Sequence, residues 1–362
     1  MRKDNKFNVL KYFDLLRLLV AVGIALLITT GIIFLCSENP TKALSTLLTG
    51  PISSKRYLFN VLEMMVPLMF TGLSLSLVFK SGNFSMITDA SFYIGAVIAS
   101  FIAIMIPLPS GIHPMVSILI AGFIGGIIGS IPAWCKVKYK ANELVTSLML
   151  NYVFFYTGLY IVNKFLADRQ ASNFASLKFL KTASLSNIVD GTRLHTGFII
   201  AIITCVLLYI FLTRTKWGYE IRLVGSNPEF ARYSGINTKK VILYTSFISG
   251  FVAAIGGAIE KLGMYRRFQW ASAPSYAWDG VIISILSSNN PIFVPVAAFF
   301  LSYIRVGADI MARQTDVQNE IVSLIQGIII LLVTAERFLF FIKQRKESQL
   351  ALANNENKGG DK

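Results

Sequence analysis

Few residues in this 362-residue chain have the type and spacing for covalent chemistry. There are two histidines, His113 and His195, and both fall in segments that read as loops between apolar stretches, where an imidazole is ordinarily solvated. The three cysteines, Cys36, Cys135 and Cys205, are far apart and form neither a CxxC pair nor a metal-ligand spacing. Leu35 before Cys36 is too bulky for a lipoprotein cleavage site. No G-x-x-x-x-G-K-[ST] phosphate loop is present, so the chain should not hydrolyse ATP itself. HExxH, GxSxG and kinase signatures are missing as well. No catalytic residue, metal ligand or bound cofactor is therefore expected.

The polar groups that remain lie inside apolar stretches, where charges and carboxamides are costly and turn toward a cavity or another helix. They are Glu63, Asp89, Asn151, Glu260 and Asp279. Glu63, Glu260 and Asp279 are close enough to the ends of their stretches to snorkel to the interface. Asn151 lies mid-stretch, placed either to bond a neighbouring helix or to line a path.

The elements that would carry these groups are membrane spans. Hydrophobic residues make up 54% of the chain and charged residues only 15%, too little polar surface for a soluble protein of this length. An all-α polytopic membrane protein of about ten spans fits best, with residues 18–338 as the membrane domain. The first six full spans are 18–36, 57–79, 92–106, 115–134, 144–162 and 197–212, and the seventh is 241–262. Residues 278–288 are too short to cross alone and pair with 291–304 as a broken or re-entrant unit around Ser287–Asn290. The last span is 321–338. Residues 1–17 and 339–362 are a basic N-terminus and a charged tail, and 163–195 form a long polar loop.

The net charge of +15 gathers at the ends of apolar runs, which favours the positive-inside rule over nucleic-acid binding. It places both termini in the cytoplasm. Loop 163–195 then lies outside despite Lys164, Arg169, Lys178, Lys181 and Arg193, which Asp168 and Asp190 offset in part. An internal echo, Asn142-Glu143-Leu144-Val145 against Asn319-Glu320-Ile321-Val322, sits about half a chain length apart and suggests an inverted repeat. Glycine-rich stretches at 122–126 and 250–257 read as close helix packing.

One insert, residues 213–240, is polar. Ser226 or Asn227 caps a short helix, with Pro228 at its first position and Glu229 at the positive end of its dipole. Arg232 sits in its last turn and Gly235 takes the left-handed stop. About seven residues span only about 10 Å, too short to cross a bilayer and suited to docking a soluble partner.

These motifs carry a resemblance over roughly residues 42–334. Gly72-Leu73-Ser74 through Phe79-Lys80-Ser81-Gly82-Asn83-Phe84, Asn142-Glu143-Leu144-Val145-Thr146-Ser147 through Asn151-Tyr152, and Arg193-Leu194-His195 are among its pieces. Gly218-Tyr219-Glu220-Ile221-Arg222 with Val224-Gly225-Ser226-Asn227-Pro228, and Asp279-Gly280-Val281, complete the set. The chain resembles the permease subunits of bacterial ABC importers of the ribose, galactose and nucleoside class, closest to the longer permease of nucleoside systems. The resemblance implies the ABC importer permease fold in a bacterial cytoplasmic membrane. It also implies that the insert is a coupling helix seated on a cytoplasmic ATP-binding subunit, which hydrolyses ATP. Arg222, Gly225, Ser226, Asn227, Pro228, Glu229, Arg232 and Gly235 are its coupling residues. A second permease, in a heterodimer, and an extracellular or periplasmic substrate-binding lipoprotein are the other implied partners, besides the bilayer itself. Phe84, Asp89, Asn151, Asp279 and Asn289 are the candidates for the solute path.

The sequence departs from the family where Ser85-Met86-Ile87-Thr88-Asp89-Ala90-Ser91 stands in place of N-I-G-x-E-G-Q, and at Ser284-Ile285-Leu286-Ser287 in place of A-L-L-G. The solute can therefore differ from the family's commonest ones, with ribose, galactose and riboflavin-like molecules open beside nucleosides. An ion-coupled secondary transporter is the other class to weigh; it would want paired intramembrane charges and has no use for a coupling helix.

Overall fold

The computed structural model describes residues 27, 28, 30–34, 37–170, 174–189, 191–317, 321, 324 and 326–328. Among these, every extended element is helical, and pairing between extended segments is limited to isolated bridges at Ala167–Ser176 and Asn187–His195. Seven helices are long and apolar enough to cross a membrane. Most of the first and last expected spans, the two termini and most of the second half of the sequence echo lie outside the described residues.

The chain divides into two units, residues 54–303 and residues 1–53 with 304–362. In the smaller unit, α1 (Pro40–Thr49) lies between the first two expected spans. Ala43 and Leu47 are buried, and Gly307 brings its helix so close that a Cβ there would meet the Leu47 carbonyl at 2.4 Å. Ser37 donates to the Asp316 carboxylate at 2.7 Å.

The larger unit holds α2 (Lys55–Lys80), α3 (Thr88–Met105), α4 (Ile112–Tyr139) and α5 (Glu143–Ile161), which runs on as a π turn over Val162–Leu166. After the long loop come α6 (Gly197–Arg214), α7 (Lys216–Ser226), α8 (Pro228–Tyr233) and α9 (Thr238–Met264). The short α10 (Tyr276–Leu286) precedes α11 (Val294–Gln314), which leads into the smaller unit. The expected broken pair is corrected by length. The chain does break over Ser287–Asn290, with Ser288 and Asn289 at positive φ, but 291–314 is a full-length span in its own right.

Helix α9 is the axis of this unit, packing against α2, α3 and α4. Small residues let the backbones touch: a Cβ on Gly250 would lie 2.4 Å from the Gly125 carbonyl, and one on Gly129 2.7 Å from the Ser246 carbonyl. With no hydrophobic drive between helices in lipid, such contact and interhelical hydrogen bonds hold a bundle together. Ser74 joins both Ser249 on α9 (2.8 Å) and Thr88 on α3 (3.1 Å).

Candidate functional site

The insert is two helices. Helix α7 begins where Thr215 Oγ1 accepts the Gly218 N–H at 3.1 Å. Helix α8 begins where Asn227 Oδ1 accepts the Phe230 N–H at 2.9 Å, so Asn227 is the cap. Ser226 instead donates to the Leu223 carbonyl. Gly235, at φ +82°, stops α8, and the Ile236 N–H closes back on the Ala231 carbonyl at 3.0 Å. The stop needs a residue at ease with positive φ, which is why glycine serves there.

An apolar cluster anchors the insert to the bundle. Ile221 and Val224 of α7 and Ala231 of α8 are buried with Leu77, Leu212 and Val241 of the spans. Arg222, Asn227, Pro228, Glu229, Phe230, Arg232 and Tyr233 all face outward. Gly225 makes the closest contact. A Cβ there would lie 2.0 Å from the Lys80 carbonyl oxygen, and Gly82, itself at φ +74°, faces it from the same turn. Two motifs far apart in sequence, Lys80-Ser81-Gly82-Asn83 and Val224-Gly225-Ser226-Asn227, are thus one joint. The turn is braced in turn: Lys136 Nζ bonds the Asn83 carboxamide and pairs with the buried Glu143 carboxylate at 2.8 Å.

Three of the five expected path residues meet deeper in the bundle. Asn151 brackets the segment entering α3, accepting the Ala90 N–H (3.2 Å) and donating to the Met86 carbonyl (2.9 Å), while Ser147 Oγ takes the Met86 N–H at 3.0 Å. These bonds tie α5 to the segment that enters α3. Asp89 Oδ1 accepts the Ala277 N–H at 3.2 Å, supplying an acceptor to the exposed donors at the start of α10. Asp279 lies in that same first turn, within electrostatic reach of Asp89. The other two stand apart. Phe84 stacks on Phe79 at 4.9 Å, and Asn289 closes the far end of α10 through Ser284 Oγ at 2.8 Å.

At the end of the bundle opposite the insert, the snorkelling expectation is corrected. Glu63 and Glu260 are buried, as is Asp279 deeper in, because neighbouring helices and the returning chain cover them. Beside Glu260 is Lys261, fully buried and not singled out from sequence. The chain after α9 folds back over it. Lys261 Nζ lies 3.4 Å from the centre of the Trp270 ring, 4.0 Å from Tyr265 and 5.0 Å from Phe268. A desolvated cation in such an aromatic box gains about 2 kcal/mol or more. Glu260 accepts from the Tyr276 hydroxyl at 3.0 Å, and the Arg193 guanidinium is within electrostatic reach of Glu63. A lysine one residue before a span's expected end looks like an interfacial anchor; only the aromatic run Tyr265, Phe268, Trp270 just beyond signals the box.

Both histidines are corrected as well: neither is solvated. His113 bonds Thr182 Oγ1 at 2.9 Å and the Ile102 carbonyl at 3.3 Å. His195 Nδ1 accepts the Gly197 N–H at 3.1 Å, and its ring fills space left by Gly197 and Gly263. Burial pushes the His195 pKa down to about 4 and holds the Tyr265 phenol above its ordinary value, with Glu260 and Glu63 adding to the latter. The long loop is pinned to the end of α9 and the chain after it by main-chain bonds, Leu185 N–H to Leu262 O (3.0 Å) and Phe179 N–H to Arg266 O (2.9 Å). Between them opens a cleft of about 710 Å³ lined by Asn187, Arg193, Tyr265, Arg266 and Gln269. Arg267 beside it is paired with Asp168 at 2.8 Å.

These elements form a spanning bundle with a docked polar insert. The profile of the family described as branched-chain amino acid transport system / permease component matches residues 57–334. The chain belongs to that family. It is 27% identical to the guanosine ABC transporter permease protein NupP of Bacillus subtilis (strain 168), over 90% of this chain and 94% of the relative. It is 30% identical to the glucose ABC transporter permease protein TsgB13 of Haloferax volcanii, over 83% and 82%. To the nucleoside ABC transporter permease protein NupB of Lactococcus lactis subsp. cremoris it is 26% identical, over 95% and 97%. No solved structure matches. The permease is a multi-pass membrane protein whose relatives are subunits without an enzymatic activity in their names.

Proposed function

We propose that this permease is one membrane subunit of an ATP-driven importer carrying a nucleoside or a related sugar-containing solute inward. The observation that carries the reading is the insert: a capped surface helix whose polar face is exposed and whose base is locked to the Lys80–Asn83 turn. A conduit without an ATP site needs such a handle. Arg222, Asn227, Glu229 and Arg232 would meet a cytoplasmic ATP-binding subunit, and closure of the ATPase pair would swing the permease between two rigid-body states. The other partners are a second, different permease and an extracellular or periplasmic binding lipoprotein, docking near Lys178 and Lys181. The chain would sit in a bacterial cytoplasmic membrane with both termini inside, built from about ten helices in an inverted repeat.

Guanosine and nucleoside in the relatives' names support the solute class. Glucose in another keeps simple sugars as the second reading. The test is uptake of labelled guanosine, uridine, ribose and glucose by cells expressing the whole system. Nucleoside uptake should vanish when ATP is depleted and survive an uncoupler; the opposite pattern would establish an ion-coupled carrier. Ala231→Pro removes the N–H that bonds the Asn227 carbonyl at 3.0 Å and breaks a six-residue helix. It should abolish uptake with membrane insertion intact, and persistent uptake would remove the coupling assignment.

A further inference from the structure

Along α4 and α9, at the end of the bundle that carries the insert, lies an open groove of about 570 Å³. At its upper edge Gly126 lets the Phe247 ring lie against the α4 backbone. The walls are Ile127, Ile131 and Trp134 on α4 and Leu243 and Phe247 on α9, with Lys240 and Tyr244 at the mouth. Ile127 to Trp134 is two turns, about 10 Å of helix. One leaflet of a bilayer's hydrocarbon core is about 15 Å deep. The groove thus takes most of one acyl chain.

Its mouth is built for a negative headgroup. Lys240 lines it and Lys239 adjoins it. Lys138 Nζ lies 4.9 Å over the Trp134 ring and 5.3 Å over Tyr139, holding a cation at the level where α4 leaves its apolar run. Indole and phenol rings at that level mark the polar boundary of a membrane. Two carboxylates are near, and both are engaged: Glu220 accepts from the Tyr244 hydroxyl at 3.3 Å, and Glu143 is paired with Lys136. We infer that this groove is a binding site for an anionic glycerophospholipid, its acyl chain between Ile131 and Leu243 and its phosphate at Lys240 and Lys138. The inference rests on the groove and its rim, not on which solute the permease carries.

The test uses the full chain in bilayers, with Trp217, Trp270 and Trp278 replaced by Phe so that Trp134 alone emits. Phosphatidylglycerol brominated on its acyl chains should quench Trp134 at lower mole fraction than equally brominated phosphatidylcholine. One lysine is worth roughly a fivefold preference for an anionic lipid, and Lys240→Glu should remove at least that much. Equal quenching by the two lipids, or a preference that Lys240→Glu leaves intact, overturns the inference. Quenching by neither lipid overturns it too, because protein then covers the groove. Native mass spectrometry of the chain with all four tryptophans gives a second readout. Phosphatidylglycerol should be retained over phosphatidylcholine, and the Lys240→Glu form should lose that excess.

Discussion

Gly225→Ala is the most direct test of whether the insert transmits force. The added methyl would sit 2.0 Å from the Lys80 carbonyl oxygen, 2.9 Å from its carbon and 3.1 Å from the Gly82 nitrogen. Ordinary carbon contacts lie at about 3.5–4.0 Å, so α7 and the turn must separate by roughly an ångström or more. Nothing soft can absorb this, because the obstacles are backbone atoms. The neighbouring cluster of Leu77, Ile221, Val224 and Ala231 resists the shift, and Lys136 holds the turn from behind. Overpacking of this kind costs about 1–3 kcal/mol, which amounts to a factor of about 5 to 150 between coupled states. The assay reconstitutes the permease with its ATPase and binding protein and measures solute uptake and ATP hydrolysis on the same vesicles. Uptake per ATP should fall about tenfold or more while insertion and assembly persist. Gly235→Ala is the control. It carries the backbone cost of φ +82°, about 1–2 kcal/mol, but its methyl meets no atom within 4 Å and it should spare most coupling. If Gly225→Ala imports with wild-type yield per ATP, the joint does not transmit the stroke.

Three further outcomes follow from buried groups. Asn151→Leu strands the Met86 carbonyl and the Ala90 N–H, at about 1–3 kcal/mol each, and should lower the thermal midpoint in detergent; an unchanged midpoint with altered solute affinity would make Asn151 a path residue instead. Lys261→Met removes the boxed cation beside the buried Glu260 carboxylate and should lower the thermal midpoint by the equivalent of about 3–5 kcal/mol, and Lys261→Ala, which also opens a void, should lower it further; an unchanged midpoint would show that the cation adds no stability. His195, with its folded pKa at about 4 against 6.5 in the unfolded chain, binds its proton more readily when unfolded. Its contribution to stability is therefore complete above pH 6.5 and is lost as pH falls toward 4. The loss amounts to about 3 kcal/mol. Unfolding midpoints across that range should show the slope, and His195→Gln should flatten it.

How much of this was legible beforehand varies with the range over which each feature is determined. Spans α2 to α6 and α9 follow from apolar runs within a single segment, and the capped helix of the insert follows from Asn227, Pro228 and Gly235 in sequence order. Joints between segments were not legible. Nothing in Gly225 or Gly82 alone says that their backbones touch, and only the turn at Lys80 makes both glycines necessary. The histidines and Glu260 were misjudged for the same reason. A polar residue at the edge of an apolar run is solvated only when nothing returns to cover it. Here the main-chain pairing of the long loop with residues 262–268 does return, and it turns an interface into an interior.

That return also bears on the choice between two classes of transporter. Buried Glu63, Glu260 and Lys261 at one end, with exposed Arg193 in electrostatic reach of Glu63, are the paired charges an ion-coupled carrier would want, and they weigh on that side more than the sequence did. Their arrangement argues otherwise. Glu260 is held by Tyr276, Lys261 is enclosed by three rings, and the chain that covers them is tied by main-chain bonds. An ion site must lose and regain its partner each cycle, and a lysine packed against three aromatic faces has little room to do so. The same features suit a rigid block that moves as a unit when its other end is pulled. On the proposed importer reading, the charge cluster would keep the far end rigid while the insert is pulled.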